Sequence, residues 1–286
     1  MDIFINGRID INDYINMNKQ FGFVNVSIGN DDCIHFLFAE DNKRYKAVSI
    51  MINWDNGDVI THTEIDFGIL NSNLHFIQKL NDGYLLVGSR TVKGFKNALT
   101  ADEKGNVYAR YNFGDAIEQC IVDDKNRIIT SYFDEGAFGN DPISGNGLVL
   151  WDSDGKVLWK NNKYEICDCY AINIDESDNL WFYYYTEFNL VKTNYFEDTV
   201  YNPQVNGSSG FLFNKYNDNI LFSEGYGEED KFVIKSRNVD TYSRGEEVKF
   251  KYNTSKIGIF DFAFRKSKAV FQDKDKKNIF YFFDWK

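Results

Sequence analysis

Residues 121–136, IVDDKNRIITSYFDEG, contain the pattern that decides the fold: an apolar strand, a tight polar turn and a second, strongly apolar strand. Five other stretches repeat it: SIGNDDCIHFLFAED from Ser27, KLNDGYLLVGSRT from Lys79, NIDESDNLWFYYYTEF from Asn173, NKYNDNILFSEGYGEE from Asn214 and FRKSKAVFQDKD from Phe264. Their second strands begin near Cys33, Tyr84, Arg127, Leu180, Ile220 and Ala269, at spacings of 40 to 53 residues. A propeller blade of four strands occupies about 40–50 residues, so each interval holds one blade.

A second pattern lies between these copies, a hairpin whose turn carries a glycine. It occurs as INWDNGDVITHTEI from Ile52, LTADEKGNVYARY from Leu99 and VLWDSDGKVLWKN from Val149. Gly57, Gly105 and Gly155 supply the positive φ that tight hairpin turns require. Alternating the two patterns gives four antiparallel strands per repeat.

The two ends of the chain decide how the repeats close. After Ile279–Phe283 no room remains for a fourth strand in the last repeat, and residues 3–11 have no repeat of their own. We therefore predict that this N-terminal segment is the outer strand of the last blade. The fold expected is an all-β, six-bladed β-propeller, one domain over residues 1–286. A β-sandwich is the main rival, but sandwiches do not usually show a sixfold recurrence.

Composition excludes several classes of partner. The net charge is −11 and no basic stripe is present, which argues against nucleic acid and anionic membrane as partners. No stretch approaches the ~20 apolar residues of a spanning helix, and the N-terminus has no signal-like apolar run. We therefore expect a cytoplasmic monomer whose four cysteines are free thiols.

The longest loop of the third repeat is the first candidate site. Residues 132–147 contain four glycines and one of the two prolines, and they offer the oxygen donors Asp134, Glu135, Asn140 and Asp141. Such donors suit Ca²⁺ or Mg²⁺. The alternative is an ordinary solvated loop with its own turns.

The stretch Cys167-Asp168-Cys169 enters the fourth repeat. On a strand the two cysteines share one face, and buried structural thiols are the expectation for them. Asp168 takes the other face, where the neighbouring blade would bring it beside Asp134 and Glu135. These three carboxylates are the metal ligands that the sequence suggests.

Side chains at the ends of the second strands complete the candidate set. Glu187 is one of several acidic residues at these positions, and Tyr132 and Tyr185 end their strands near the same face, where their rings are placed to stack on a sugar or a base. Solvated strand ends and sheet packing are the alternatives for them.

At YFDEGAFGN and CDCYAINI the chain resembles an uncharacterised family of bacterial proteins, over Asp123 to Lys192. No activity is assigned to that family, so the resemblance implies no site. The repeat pattern also resembles six-bladed propellers of the NHL and gluconolactonase-like kind. In the lactonase-like enzymes Glu and Asn/Asp side chains hold a central divalent metal, and their motif has no residue-by-residue match here.

Two hypotheses of function follow. The first is a non-catalytic scaffold that binds a protein or a small molecule on its loop face, since the sequence has no catalytic signature. The second is a hydrolase or lyase that depends on a divalent metal, with Asp134, Glu135 and Asp168 as ligands or acid–base groups.

Overall fold

The computed structural model describes residues 1–15, 21–92, 95–139, 141–216, 218–226, 230–236 and 244–286. These residues form a six-bladed β-propeller of four-stranded antiparallel sheets. By internal contacts the chain divides into two compact units. We call residues 12–52 and 59–169 the blade 1–3 unit, and residues 1–11, 53–58 and 170–286 the blade 4–6 unit.

Two short strands, β1 (Asp2–Ile5) and β2 (Gly7–Asp10), and a 3-10 turn at Ile11–Asp13 precede the first blade. Blade 1 consists of β3 (Gly22–Ile28), β4 (Ile34–Ala39), β5 (Arg44–Ile52) and β6 (Val59–Ile69). Blade 2 consists of β7 (Phe76–Leu80), β8 (Gly83–Val87), β9 (Ala98–Ala101) and β10 (Val107–Tyr111). Blade 3 consists of β11 (Ile117–Val122), β12 (Ile128–Tyr132), β13 (Leu148–Trp151) and β14 (Val157–Lys160). The helix α1 (Asp134–Ala137) and a 3-10 turn at Ser144–Asn146 lie between β12 and β13.

Blade 4 consists of β15 (Asp168–Ile174), β16 (Leu180–Tyr185), β17 (Asn189–Thr193) and β18 (Asp198–Tyr201). Blade 5 consists of β19 (Phe211–Phe213), β20 (Asn219–Ser223), β21 (Phe232–Ser236) and β22 (Glu246–Tyr252), with the short β23 (Ser255–Lys256) paired to β22. Blade 6 consists of β24 (Ile259–Arg265), β25 (Lys268–Asp273), β26 (Ile279–Asp284) and the N-terminal β2.

The N-terminal segment closes the last blade, as the sequence predicted. β2 pairs antiparallel with β26, and Gly7 lies opposite Phe282. The same segment makes a second pairing that the sequence did not predict: β1 pairs parallel with β22 at the edge of blade 5. The predicted outer strand of residues 3–11 is thus two strands that cover two sheet edges, which would otherwise expose unpaired backbone groups.

One turn chemistry recurs in the hairpins. An Asp carboxylate accepts the backbone N–H groups two and four residues further on, and the residue between them has a positive φ. In these turns the Asp carboxylate thus takes the place of a backbone carbonyl as the hydrogen-bond acceptor. The acceptors are Asp102, Asp123, Asp152 and Asp175, and the residues with positive φ are Gly105, Asn126, Gly155 and Asp178.

Each core cluster joins neighbouring sheets, because one blade cannot bury both of its own faces. In the blade 1–3 unit, one cluster joins blades 1 and 2 around Phe67 and Leu86, and another joins blades 2 and 3 around Phe113 and Trp151. In the blade 4–6 unit, Trp181 and Phe213 meet between blades 4 and 5. None of the described helices is long and apolar enough to cross a membrane.

Candidate functional site

Three carboxylates of the blade 1–3 unit form the candidate site, which we call the acidic group: Glu118, Asp134 and Asp168. Glu118 lies on β11, the first strand of blade 3. Asp134 begins α1 directly after β12, and Asp168 is the first residue of β15. The structure therefore brings together two of the predicted residues, Asp134 and Asp168, and adds a third that the sequence did not single out.

A β-bulge presents Glu118. The pairing of β11 with β12 shifts between Ile117 and Gln119, so Glu118 has no opposite residue in the ladder. A bulge of this kind re-aims the side chain of the extra residue. Blades 1 and 6 have the same irregularity, at Val24 and Phe260. The bulge thus recurs in these blades. Blade 3 differs from blades 1 and 6 because its bulged residue carries a carboxylate.

Burial and mutual repulsion raise the pKa values of Glu118 and Asp168. Burial, with the charges of Asp168 and Asp134, raises the pKa of Glu118 to about 7. Burial and the charge of Asp134 raise the pKa of Asp168 to about 6, although the backbone amide of Asp134 acts in the opposite direction. Glu118 and Asp168 therefore titrate near neutral pH.

Asp168 has an unmet hydrogen-bonding atom. Its Oδ1 is buried and has no hydrogen-bond partner among the described residues. No Lys or Arg in the described part of the chain forms an ion pair with Glu118, Asp134 or Asp168. A buried acceptor without a donor costs about 1–3 kcal/mol.

Glu135 has a different role from the one predicted. Its carboxylate forms an ion pair with Arg90, whose guanidinium also binds Asp115 through Nε at 3.1 Å and Nη2 at 3.2 Å. The Arg90 Cζ lies 5.5 Å from the centroid of the Phe133 ring. Glu135 is thus neutralised by a cation and ties α1 to the loop after β8.

The metal hypothesis lacks a ligand set. Among the described residues, no three His, Cys, Asp or Glu side chains are placed to hold a metal ion together. Glu135 forms an ion pair with Arg90. Metal binding by Asp134, Glu135 and Asp168 remains a prediction. Asn140, the remaining predicted donor, lies outside the described residues.

Tyr132 lies in the core and offers no ring face to a ligand. It is fully buried, and its hydroxyl donates to the carbonyl of Phe113 and contacts the hydroxyl of Thr130 at 2.8 Å. The stacking role suggested by its position at the strand end is therefore not available to it.

The cysteines beside Asp168 are free. Cys169 is buried, and burial raises the pKa of its thiol well above the usual value. Cys167 is half-buried. The burial expected for both thiols is thus found for Cys169 and not for Cys167.

Tyr185 and Glu187 lie in the blade 4–6 unit. The Tyr185 ring is 39% exposed and packs on Phe188, with centroids 5.4 Å apart. Glu187 accepts hydrogen bonds from the Asn189 amide at 2.6 Å and the Tyr184 hydroxyl at 3.3 Å. Both side chains remain accessible.

A Ser–His–Asp arrangement in blade 1 is structural. His35 Nδ1 lies 2.7 Å from Ser49 Oγ and Nε2 lies 3.1 Å from Asp31 Oδ1, while Ser49 also contacts the Tyr84 hydroxyl at 2.9 Å. His35 is fully buried and Ser49 is 9% exposed, so no substrate reaches the hydroxyl. The network joins blades 1 and 2.

No protein-family model matches the chain, and no curated protein does. Solved structures with a similar fold include virginiamycin B lyase from Staphylococcus aureus, at 11% identity and a TM-score of 0.56 over 94% of this chain and 82% of that one. YCF48 bound to D1 peptide has 10% identity and a TM-score of 0.53, with 92% and 79% covered. The PQQ-bound aldose sugar dehydrogenase from Streptomyces coelicolor has 8% identity and a TM-score of 0.53, with 91% and 93% covered.

These proteins differ in function: one is a lyase, one is a dehydrogenase and one is bound to a peptide. At such identities the likeness shows the β-propeller fold alone. The chain is a β-propeller whose function its neighbours leave open.

Proposed function

We propose that this protein is a non-catalytic binding propeller and that the acidic group binds a cationic group of its ligand, an ammonium or a guanidinium. The observation that carries the proposal is the buried Oδ1 of Asp168, which has no hydrogen-bond partner in the described part of the chain and lies beside two further carboxylates. A peptide or a small amine supplies a suitable donor.

A cationic ligand suits the acidic group because it removes two unfavourable contributions to the free energy. It offers a hydrogen-bond donor to Asp168, and it offsets the repulsion among Glu118, Asp134 and Asp168. Glu135, in the same loop, differs from these carboxylates because it already has a cationic partner, the guanidinium of Arg90. The net charge of −11 also attracts cationic ligands over a longer range.

The experiment measures protons released on binding. Spermidine and agmatine are titrated into the protein at pH 6.5 and low salt by calorimetry, in buffers of different ionisation enthalpy. A bound cation lowers the pKa of Glu118 and Asp168, so we expect saturable binding with proton release. Glu118→Gln and Asp168→Asn should weaken binding about ten-fold or more, since each charge-assisted hydrogen bond contributes about 1.5–3 kcal/mol.

Asp154→Asn is the matched control, because it removes the same charge from an exposed hairpin turn of the same blade. It should leave binding unchanged. Equal affinity in Glu118→Gln, Asp168→Asn and the unmodified protein would contradict the proposal, as would binding without release of protons.

A further inference from the structure

Four aromatic side chains of the blade 4–6 unit form a second surface, which we call the aromatic platform: Tyr170, Tyr185, Phe188 and Tyr226. They come from β15, from the end of β16 and the turn after it, and from the segment between β20 and β21. Tyr226 is 67% exposed and Tyr185 is 39% exposed. Three separate segments thus place rings on one surface.

Phe188 is the centre of the platform. Its ring lies nearly parallel to that of Tyr170, with 8° between the planes and centroids 6.4 Å apart. Tyr226 meets Phe188 edge-on at 6.3 Å, and Tyr185 meets it at 5.4 Å. The hydroxyls of Tyr170 and Tyr226 are 3.0 Å apart, so a hydrogen bond links the two outer rings.

The backbone bends to hold two of these rings. Phe188 has a φ of 54° and Tyr226 a φ of 51°. Bulky side chains rarely adopt this left-handed region, and such conformations persist where the surroundings impose them, often at binding sites. Gly207 provides room for Tyr226, because a Cβ there would lie 2.7 Å from its ring.

Acidic residues lie close in sequence to two rings of the platform. Glu187 precedes Phe188 and forms no ion pair with a described residue. Glu224 precedes Tyr226 by two residues, and its charge acts on Lys235. The faces of aromatic rings also carry negative potential. Both features are complementary to a positive charge, whereas a neutral saccharide would use the rings alone.

We infer that the aromatic platform binds the side chain of an arginine or a lysine from a basic peptide, through cation–π contact with Tyr226 and Tyr185 and charge attraction from Glu187. Arginine suits it best because the planar guanidinium stacks on rings. The inference uses none of the residues of the acidic group, so either proposal can fail while the other holds.

The test uses fluorine NMR of protein that carries 3-fluorotyrosine. The probes are the peptide Gly-Arg-Gly-Arg-Gly with blocked ends, the same peptide with Gln in place of Arg, and maltohexaose. The signals of Tyr226, Tyr185 and Tyr216 are assigned by their loss in the Tyr→Phe variants. Tyr216, which is 77% exposed in the turn between β19 and β20, is the internal control.

We expect the arginine peptide to shift the Tyr226 and Tyr185 signals saturably and the Tyr216 signal not at all. Tyr226→Ala should weaken the affinity for the arginine peptide by about two- to five-fold, as expected for an exposed cation–π contact. The Tyr185 signal reports binding in this variant. Glu187→Gln should weaken it without removing a ring, which keeps the test valid if Tyr226→Ala folds poorly.

Three results would overturn the inference: equal shifts with the Gln peptide, shifts with maltohexaose but not with the arginine peptide, or no shift with millimolar peptide. Repeating the titration in Glu118→Gln/Asp168→Asn protein separates the two proposals. Unchanged shifts there would show that the platform binds without the acidic group.

Discussion

The ring of Phe282 lies directly against the Cα of Gly7, where the N-terminal strand β2 completes blade 6. A Cβ on Gly7 would lie 2.0 Å from the Phe282 Cζ. Phe282 is fully buried and meets Trp54 edge-on, with centroids 5.7 Å apart. The contact requires glycine at this position, and it fixes where β2 meets β26.

Gly7→Ala should therefore destabilise the protein by about 1–3 kcal/mol, the usual cost of overpacking a core. Denaturant unfolding measures this difference. Gly22→Ala is the control, because its Cβ would meet nothing closer than an atom at 3.8 Å. Equal stability of Gly7→Ala and the unmodified protein would show that β2 does not pack against Phe282.

The sequence predicted the blades because their turns are local. The second strands begin within one residue of the predicted positions, and the hairpins with Gly57, Gly105 and Gly155 occur as expected. The parallel pairing of β1 with β22 had no such signal, because no turn connects those two strands. The same holds for the two helical turns inside the loop after Tyr132, which are too short for a periodic pattern.

Two buried threonines of the blade 1–3 unit allow the free-energy cost of an unpaired buried hydroxyl to be compared with that of a paired one. Thr130 bonds to the Trp151 indole N–H at 3.0 Å and to the Tyr132 hydroxyl. The Thr100 hydroxyl has no hydrogen-bond partner among the residues that the structure describes. Thr100→Val should be neutral or stabilise the protein by up to about 1 kcal/mol, and Thr130→Val should destabilise it by about 1–3 kcal/mol. Thermal unfolding of both variants checks this, and equal losses would mean that Thr100 has a donor.

Only part of the candidate site was predictable. Asp134 and Asp168 were expected to be neighbours because consecutive blades adjoin, and they are. Glu118 was missed, since nothing in IEQCIV marks the bulge that presents it. The ion pair of Glu135 with Arg90 was missed because Arg90 lies in another blade, and Tyr132 was taken as accessible although it is buried.

The raised pKa of Glu118 predicts a pH dependence of stability. Between its ordinary value of 4.5 and about 7, the folded state keeps a proton that the unfolded state has lost, so stability falls as pH rises across this window. The free energy of unfolding of Glu118→Gln should equal that of the unmodified protein at pH 4. At pH 8 it should be higher by about 1–2 kcal/mol, after allowance for solvent screening.

Unfolding in urea across this pH range measures the effect. Glu165→Gln, in the exposed loop before β15, is the control for removal of a carboxylate from this region. A constant difference between Glu118→Gln and the unmodified protein at all pH values would contradict the raised pKa.

The metal hypothesis has a separate test. Because Glu135 is paired with Arg90, we expect Ca²⁺, Mg²⁺, Mn²⁺ and Zn²⁺ to leave the melting temperature unchanged at millimolar concentration. A saturable rise that disappears in Asp134→Ala and Asp168→Ala would instead restore a metal to the acidic group.

The most direct test of the acidic group is an NMR titration of the side-chain carboxyl carbons of Glu118 and Asp168, assigned with Glu118→Gln and Asp168→Asn. We predict pKa values of about 7 and about 6 in the free protein, and a fall in both when spermidine binds. Ordinary carboxyl pKa values in the free protein, or values that spermidine leaves unchanged, would contradict the proposal that these carboxylates bind a cation.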